Sequence, residues 1–355
     1  MNKKITSPAF FIGRGDEELI SFGSGQPDMP PPQEAFNILK TFSAFKYGLI
    51  QGEESLRAAL AEKYPNARAD QFVITNGASE AIDLVLRAIS EPGASVLLPR
   101  PYYYSYPHNV RLTGMTPVYY DLVKGKIDFE QFKKDIKGCK AVLINSPSNP
   151  TGTVQEVGTL KKIEALCEKL GVYLLSDEVY KDIIYVRENY LLQGPHVATV
   201  NSFSKTYAMC GLRVGYLYTK DKRLLDAVVE MKTHTAMNTS IVGQMMALAA
   251  LSSPASYAAH NLEVWRERRD LIVSGMRELG LDLWSPEGAF YVFPKFKDSG
   301  RALSDLYHTY KIITYDGAWF GASGRLRFSY ALDIAKIQEG LRRIKKFLST
   351  EYRHY

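Results

Sequence analysis

The stretch NSFSKTYAMCGLRVGYLYTK, residues 201–220, places a lysine among small hydroxyl residues and just before VGYLYT, an apolar run typical of a buried strand. Lysine is almost never fully buried unless another group pairs with it, so the role of Lys205 depends on its neighbours. Ser202 and Ser204 flank this lysine, and Arg213 follows it in the same stretch. Two hydroxyls and a planar guanidinium are good ligands for a phosphate, so the stretch indicates an anion site beside an amine.

Upstream of this stretch, segments with helical spacing (ESLRAALAEKY, ASEAIDLVLRAI, TLKKIEALCEKLG) alternate with short apolar runs (QFVIT, ASVLLP, KAVLINSP, VYLLSD, VATVNSF). Apolar strands separated by helices are typical of a parallel sheet covered on both faces. We therefore predict an α/β fold with two domains. Its large three-layer domain with a mostly parallel sheet spans residues 46–278, and a smaller α/β domain is built from both chain ends, 1–45 and 279–355.

Composition excludes several classes of function. The net charge of +6 is dispersed, and its densest cluster lies on an amphipathic C-terminal segment, which indicates a solvated helix face rather than a nucleic-acid surface. Three widely spaced cysteines form neither a disulfide framework nor a metal pair, and no HExxH motif is present. No signal peptide or long apolar run occurs. We expect a cytoplasmic protein that binds no metal, nucleic acid or membrane.

Small residues open the segment ASEAIDLVLRAI, which follows a predicted strand. Gly77, Ala78 and Ser79 stand at its start, where the free N–H groups of a helix N-terminus bind anions. A plain N-cap at Ser79 explains the same residues, and this stretch taken alone favours the cap. The sequence therefore leaves an anion site and a simple cap both open here.

Other chemically useful groups also follow predicted strands. Asp177 ends an apolar run, so it is either a turn acceptor or a buried carboxylate that requires a cation. Tyr180 follows it closely, and Tyr103, within a tyrosine-rich run, has a ring suited to stacking. Ligands in open parallel sheets bind beyond the carboxyl ends of the strands. A phosphate site, a stacking ring, a carboxylate, a tyrosine hydroxyl and a lysine amine together meet the needs of pyridoxal 5'-phosphate.

Seven motifs, TNGASEAI, PRPYYYSYP, NSPSNPTG, SDEVY, SFSKTYAMCGLRVGY, PEGAFYVF and RLRFSYA, make this chain resemble the fold-type I, class I/II pyridoxal-phosphate-dependent aminotransferases, the aspartate aminotransferase superfamily. The resemblance covers nearly the whole chain from about Gly23. It implies transfer of an amino group between an L-amino acid and a 2-oxo acid by a homodimer with shared active sites. A β-lyase or an amino-acid(-phosphate) decarboxylase on the same fold is the alternative, since fold and cofactor do not determine the reaction. A non-catalytic cofactor-binding sensor is disfavoured, because residues 1–22 are too few for a DNA-binding module.

The same resemblance implies residue roles. Lys205 carries the cofactor as a Schiff base, Asp177 pairs with its pyridine nitrogen, and Tyr180 and Asn149 bond its phenolic oxygen. Tyr103 stacks on the ring. The implied phosphate ligands are Gly77, Ala78, Ser79, Ser202, Ser204 and Arg213, with Tyr47 from the partner subunit. The implied substrate contacts are Arg327, for the α-carboxylate, Gly25 and Asn149.

The C-terminal part of this chain departs from the family pattern, and one residue assignment there has a neighbouring alternative. Tyr315, Asp316 and Gly317 stand where a Pro-Gly pair is common, in a segment that walls the substrate pocket. Arg325 lies two residues before Arg327, so the carboxylate-binding role belongs to one of these two, and the residues after Arg327 favour it. The amino donor stays open among aspartate, aromatic amino acids, alanine and histidinol phosphate.

Overall fold

The computed structural model describes residues 5–11, 18–186 and 189–351. The strands in these residues are β1 (Ile20–Ser21), β2 (Phe72–Thr75), β3 (Ser95–Arg100), β4 (Thr116–Val123), β5 (Lys126–Ile127), β6 (Cys139–Asn145), β7 (Tyr173–Asp177), β8 (Val197–Ser202), β9 (Gly215–Thr219), β10 (Tyr291–Val292), β11 (Ile312–Ile313), β12 (Tyr315–Asp316) and β13 (Leu326–Ser329). The α-helices there are α1 (Gln33–Thr41), α2 (Glu54–Ala61), α3 (Ala78–Ala88), α4 (Tyr106–Leu112), α5 (Phe129–Asp135), α6 (Val157–Leu170), α7 (Lys222–His234), α8 (Ile241–Leu251), α9 (Ala255–Glu278), α10 (Ser299–His308) and α11 (Ile334–Glu351).

Eight strands form the central sheet, in the order β2-β9-β8-β7-β6-β3-β4-β5. The neighbours from β8 to β4 run parallel, whereas β9 is antiparallel to both β2 and β8, and β5 is antiparallel to β4. The mostly parallel sheet with helices confirms the predicted α/β class. Because β2, β3, β6, β7 and β8 point the same way, the groups at their carboxyl ends share one edge of the sheet.

Local sequence explains how two helices begin and end. Helix α3 starts at Ala78 after Gly77, which has φ +78°, and no side chain caps the helix. The N-cap interpretation of Ser79 is therefore wrong, since Ser79 already lies in the first turn. Helix α6 ends at Gly171 with φ 66°, a left-handed conformation that glycine adopts without strain, as the sequence predicts.

A second core forms beside the large sheet from both ends of the chain. Phe11, Ile20 and Phe22 are buried with residues from the last hundred positions. Strand β1 pairs with β11 in parallel, and β10, β13 and β12 make a small antiparallel sheet. Helix α9 adds Trp265 and Ile272 to this core, although the predicted boundary follows that helix. The domain boundaries themselves stay a prediction.

Candidate active site

A cavity of about 360 Å³ opens at the carboxyl edge of the sheet. Nearly all of the predicted site residues line it. They are Gly25, Ala78, Ser79, Tyr103, Asn149, Asp177, Tyr180, Ser202, Ser204, Lys205, Arg213 and Arg327. Strand ends of the large sheet and strands of the second core thus contribute to one site.

One end of the cavity is built to hold an anion. The first turn of α3 presents Ala78 and Ser79 there, with Arg213 opposite. Arg213 donates hydrogen bonds to two backbone oxygens, Cys210 O at 2.9 Å and Asn76 O at 3.4 Å. A Cβ atom at Gly77 would collide with the Arg213 guanidinium, so glycine makes room for this approach. A cation bonded to carbonyls beside a helix N-terminus favours a bound phosphate.

Asp177 is a buried carboxylate at the end of β7. Its Oδ2 accepts a hydrogen bond from the Tyr106 hydroxyl at 2.6 Å, and its Oδ1 accepts one from the Val179 N–H at 3.2 Å. Burial raises the pKa of this carboxyl to about 6, while the Tyr106 and Val179 bonds and the charge of Lys205 act in the opposite direction. A positively charged partner in the cavity would therefore favour its ionised form.

Lys205 crosses the cavity toward the second core. Its Nζ donates to the carbonyl oxygen of Gly25 at 2.6 Å and lies 6.0 Å from the ring centroids of Tyr180 and Phe290. The hydroxyls of Tyr180 and Tyr291 are 2.7 Å apart, and burial raises the pKa of Tyr180 well above its usual range. The amine thus has a neutral carbonyl as its hydrogen-bond partner and two rings nearby. It can therefore leave this position to bond a small molecule in the cavity.

Arg327 is a buried guanidinium, 2% exposed, on β13. It donates to Asn149 Oδ1 at 2.9 Å and to the Gly23 carbonyl, and its buried Nε has no hydrogen-bond partner in the described structure. The rings of Tyr291 and Tyr315 lie 4.5 and 4.6 Å from its central carbon. A buried cation that contacts rings and neutral oxygens is set to bind an anion.

Arg325 has a different environment. Its guanidinium lies 4.3 Å from the Trp284 ring and donates to the Phe293 carbonyl at 2.7 Å and to Asp282 at 3.3 Å. It does not line the cavity. The structure therefore brings Arg327, and not Arg325, to the site.

These groups fit pyridoxal 5'-phosphate. The anion end suits its phosphate, the buried Asp177 carboxylate suits a protonated pyridine nitrogen, and the Lys205 amine suits its aldehyde. The close approach of Arg213 to Gly77 places a cation at the anion end, and the unpartnered Nε of the buried Arg327 is a donor that lacks an oxygen partner in the described structure.

Comparison with known proteins decides the family. The model of the family "Aminotransferase class I and II" matches residues 17–344. This chain belongs to that family. It is a pyridoxal-phosphate-dependent aminotransferase, which confirms the predicted fold family, reaction and cofactor.

Named relatives of the aminotransferase agree. A probable aspartate/prephenate aminotransferase of Aquifex aeolicus is 34% identical, over 97% of this chain and 94% of its own length. The solved aspartate aminotransferase of Thermotoga maritima has a TM-score of 0.89 at 30% identity, over 97% of this chain and 95% of that one. An aromatic aminotransferase from Pyrococcus horikoshii has a TM-score of 0.89 at 29% identity, over 95% and 97%.

Two predicted site residues of the aminotransferase do not line the cavity. Gly77 lies just outside it, next to Ala78, and acts through the space that it leaves for Arg213. Tyr47 is 82% exposed on another surface, beside Phe45 and Met237. Tyr47 of this chain therefore does not reach the cavity of the same chain.

Sequence reasoning missed several residues that shape the aminotransferase site. Tyr106 bonds Asp177, and Tyr291 bonds Tyr180. Tyr315, in the segment expected to wall the substrate pocket, lines the cavity beside Arg327. Asn145 ties the ends of the strands together, because its Nδ2 donates to the Asp177 carbonyl at 3.1 Å and its Oδ1 accepts from the Asn149 N–H at 2.7 Å. The signal for Asn145 was its position at the end of an apolar strand.

Glu178 gives the aminotransferase a measurable pH dependence of stability. Its side chain is buried, Oε2 has no partner in the described structure, and Ser176 Oγ donates to Oε1 at 2.9 Å. Burial raises its pKa to about 8, with Lys181 opposing. Because its folded-state pKa is raised, the protonated Glu178 carboxyl contributes stability that is fully present below the ordinary pKa of a glutamate. This stability is lost as the pH rises to about 8.

We therefore expect the free energy of unfolding of the Glu178→Gln apoprotein, relative to the wild-type apoprotein, to rise by a few kcal/mol, on the order of 1–5, between pH 5 and pH 8. Urea unfolding at both pH values measures this difference. Glu62→Gln, at an exposed position, is the control and should follow the wild type at both pH values. A constant difference between Glu178→Gln and wild type would contradict the prediction.

Proposed function

We propose that the aminotransferase carries its cofactor on Lys205 and exchanges amino groups at this cavity. The proposed cofactor contacts are Gly77, Ala78, Ser79, Tyr103, Asn149, Asp177, Tyr180, Ser202, Ser204, Lys205 and Arg213, and the proposed substrate contacts are Arg327, Gly25 and Asn149. The observation that supports this most is that Lys205 and the buried Arg327 line one cavity with Asp177. An amine, a carboxylate and a carboxylate-binding guanidinium are then available to one substrate.

When bound, pyridoxal 5'-phosphate supplies an electron-accepting ring that weakens the bonds at the substrate Cα. The chain supplies the remaining chemistry. The Lys205 amine would act as the general base that accepts the proton from the substrate Cα, and as the acid that gives it back. Asp177, as a carboxylate, would hold a protonated pyridine nitrogen, and Tyr180 and Asn149 would bond the phenolic oxygen. Arg327 orients the substrate by its α-carboxylate, which fixes the direction of the Cα–H bond.

A half-reaction experiment tests this function. Purified protein with pyridoxal 5'-phosphate is mixed with single amino acids, and the products are identified. Release of the 2-oxo acid with the donor's carbon skeleton, leaving the cofactor as pyridoxamine phosphate, is the expected result. Pyruvate with ammonia, or carbon dioxide, as the product would instead indicate a lyase or a decarboxylase.

For the donor, the named relatives favour aspartate. The cavity favours a second candidate, an aromatic amino acid, because Tyr103, Tyr104, Tyr291 and Tyr315 line it. The cations among its described lining residues are Lys205, Arg213 and Arg327, each with a proposed role. We therefore expect phenylalanine or tyrosine to react with a higher kcat/KM than aspartate, measured as single-turnover rates across a concentration series. A higher value for aspartate would reject the aromatic candidate.

We also propose a cytoplasmic homodimer with shared sites. Phe45, Tyr47, Leu39 and Leu49 are 86%, 82%, 56% and 55% exposed, a concentration of apolar surface typical of an interface. A second copy of the chain that covers this surface brings Tyr47 near the anion end of its partner's cavity.

The cysteines are free thiols, which supports a reducing compartment. The described residues contain no helix that is long and apolar enough to cross a membrane.

Phe45→Asp is expected to turn the dimer into monomers and to weaken cofactor binding about tenfold or more, because a charge at the interface core is costly and one phosphate ligand is lost. Sedimentation equilibrium and a pyridoxal 5'-phosphate titration measure the two effects. Leu170→Asp introduces the same charge at an exposed position on α6 and should change neither. A dimeric Phe45→Asp protein with full cofactor affinity would reject the shared site.

A further inference from the structure

Tyr106 connects the helix α4 to the carboxylate of Asp177. Its hydroxyl donates to Asp177 Oδ2 at 2.6 Å, and both side chains are buried, at 1% and 5% exposure. The Tyr106 ring also meets the Tyr103 ring edge-on, with centroids 5.4 Å apart. One side chain thus contacts both the carboxylate and the stacking ring proposed for the cofactor.

The Tyr106 hydroxyl is suited to be a permanent donor. Burial, reinforced by the charge of Asp177, raises its pKa well above the usual range, so the hydroxyl keeps its proton at any physiological pH. A carboxylate accepts this proton in a hydrogen bond more strongly than a neutral carboxylic acid does. The bond therefore favours the ionised form of a carboxyl group that burial by itself would neutralise.

We propose that Tyr106 is a positioning residue that keeps the Asp177 carboxylate ionised and aimed into the cavity. It acts through Asp177 and does not need to touch the reacting atoms. This inference rests on the proposed role of Asp177 and adds the group that makes that role possible at neutral pH.

The surroundings of Asp177 show how much depends on Tyr106. The Val179 N–H bonds the other carboxylate oxygen at 3.2 Å, at the end of the same strand. The charge of Lys205 favours ionisation from across the cavity, and Glu178 is the neighbouring acid. Of the two hydrogen bonds to this carboxylate, the one from Tyr106, at 2.6 Å, is the shorter.

The test is the titration of Asp177 in the apoprotein, so that it does not depend on activity. Aspartate labelled with 13C at the carboxyl carbon reports each titration by NMR, and Asp177→Asn identifies the signal. We expect a wild-type midpoint near 6 and a midpoint about one unit higher in Tyr106→Phe, since a hydrogen bond to a charged group is lost. An unchanged or lower midpoint in Tyr106→Phe would overturn the proposal.

The chain offers a matched control. Tyr120 is also buried, and its hydroxyl donates to the Leu143 carbonyl at 3.1 Å, so Tyr120→Phe removes a comparable bond elsewhere on the sheet. The Asp177 midpoint in Tyr120→Phe should equal that of the wild type. A rise as large as the one in Tyr106→Phe would overturn the proposal. If Tyr106→Phe does not fold, a fluorinated tyrosine at position 106 replaces it. The hydroxyl on a fluorinated ring is a stronger donor and should lower the Asp177 midpoint. An unchanged midpoint would overturn the proposal.

Cofactor affinity separates positioning from general support. Tyr106→Phe should weaken pyridoxal 5'-phosphate binding about tenfold in the wild-type background and hardly at all in Asp177→Asn, because the two residues act as one unit. Equal weakening in both backgrounds indicates a merely structural role and overturns the inference. If Asp177→Asn binds pyridoxal 5'-phosphate with full affinity, the proposed role of Asp177 itself is rejected. If Asp177→Asn binds the cofactor more weakly but the Asp177 midpoint is unchanged in the Tyr106→Phe apoprotein, only the inference about Tyr106 is rejected.

Discussion

Lys205→Ala is expected to abolish amino-group exchange, with a fall of about 10⁴-fold or more in the single-turnover rate with any donor. General acid–base catalysis by a positioned side chain contributes about 10²–10⁴-fold, and this variant also loses the covalent seat of the cofactor. The fold should survive, because Lys205 is half-buried and its amine makes one hydrogen bond, to the Gly25 carbonyl. Rapid mixing with the cofactor-loaded protein measures the rate.

Two further measurements make the Lys205 prediction specific. Borohydride reduction followed by peptide mass analysis should place the cofactor on Lys205 in the wild type. A small primary amine added to Lys205→Ala should restore part of the rate, because it supplies the missing proton acceptor. Lys220→Ala, an exposed lysine at the end of the same stretch, should react like the wild type. A Lys205→Ala protein with the wild-type rate would reject the proposed site.

Arg327→Leu is expected to lower kcat/KM about 10³-fold for every donor, while the cofactor still binds. The Arg327 guanidinium is buried and its Nε has no partner in the described structure. In the variant, the substrate carboxylate therefore loses charge-assisted hydrogen bonds in a buried site. The loss should be equal for aspartate and for aromatic donors, because both present the same α-carboxylate. Steady-state kinetics with two donors test this equality.

Arg325 provides the matched control for Arg327. Arg325→Leu removes the same charge two residues earlier, where the guanidinium contacts Trp284, Asp282 and the Phe293 carbonyl outside the cavity. We expect kcat/KM near the wild-type value and a loss of about 1–2 kcal/mol in the free energy of unfolding. The opposite pattern, with Arg325→Leu inactive and Arg327→Leu active, would assign the carboxylate-binding role to Arg325.

Much of this protein could be predicted because its chemistry lies at strand ends. Asp177 and Ser202 close β7 and β8, and Lys205 follows within one turn. Parallel neighbours bring such residues to one edge whatever the details of packing, so a linear pattern predicts a shared site. The Gly171 end of α6 was predictable for a similar reason, since the backbone requirement is local.

Partners that come from distant parts of the chain could not be predicted in this way. Tyr106 and Asp177 are 71 positions apart, and Tyr180 and Tyr291 are 111 apart, yet each pair shares a hydrogen bond. Nothing in the run PYYYSYP distinguishes the tyrosine that bonds a carboxylate from those that pack. The difference depends on the rotation of α4 over the sheet, which many non-local contacts determine together.

The sequence by itself determined the α/β class, the family and the lysine and carboxylate of the proposed site, because motif spacing and strand ends carry that information. Tertiary structure decided which of two neighbouring arginines lines the cavity, because Arg327 lies within β13 and reaches Asn149, whereas Arg325 precedes that strand and contacts Trp284 and Asp282. It also decided that a buried tyrosine holds Asp177. Side-chain direction and desolvation arise only when distant segments pack, so these features have no local signature.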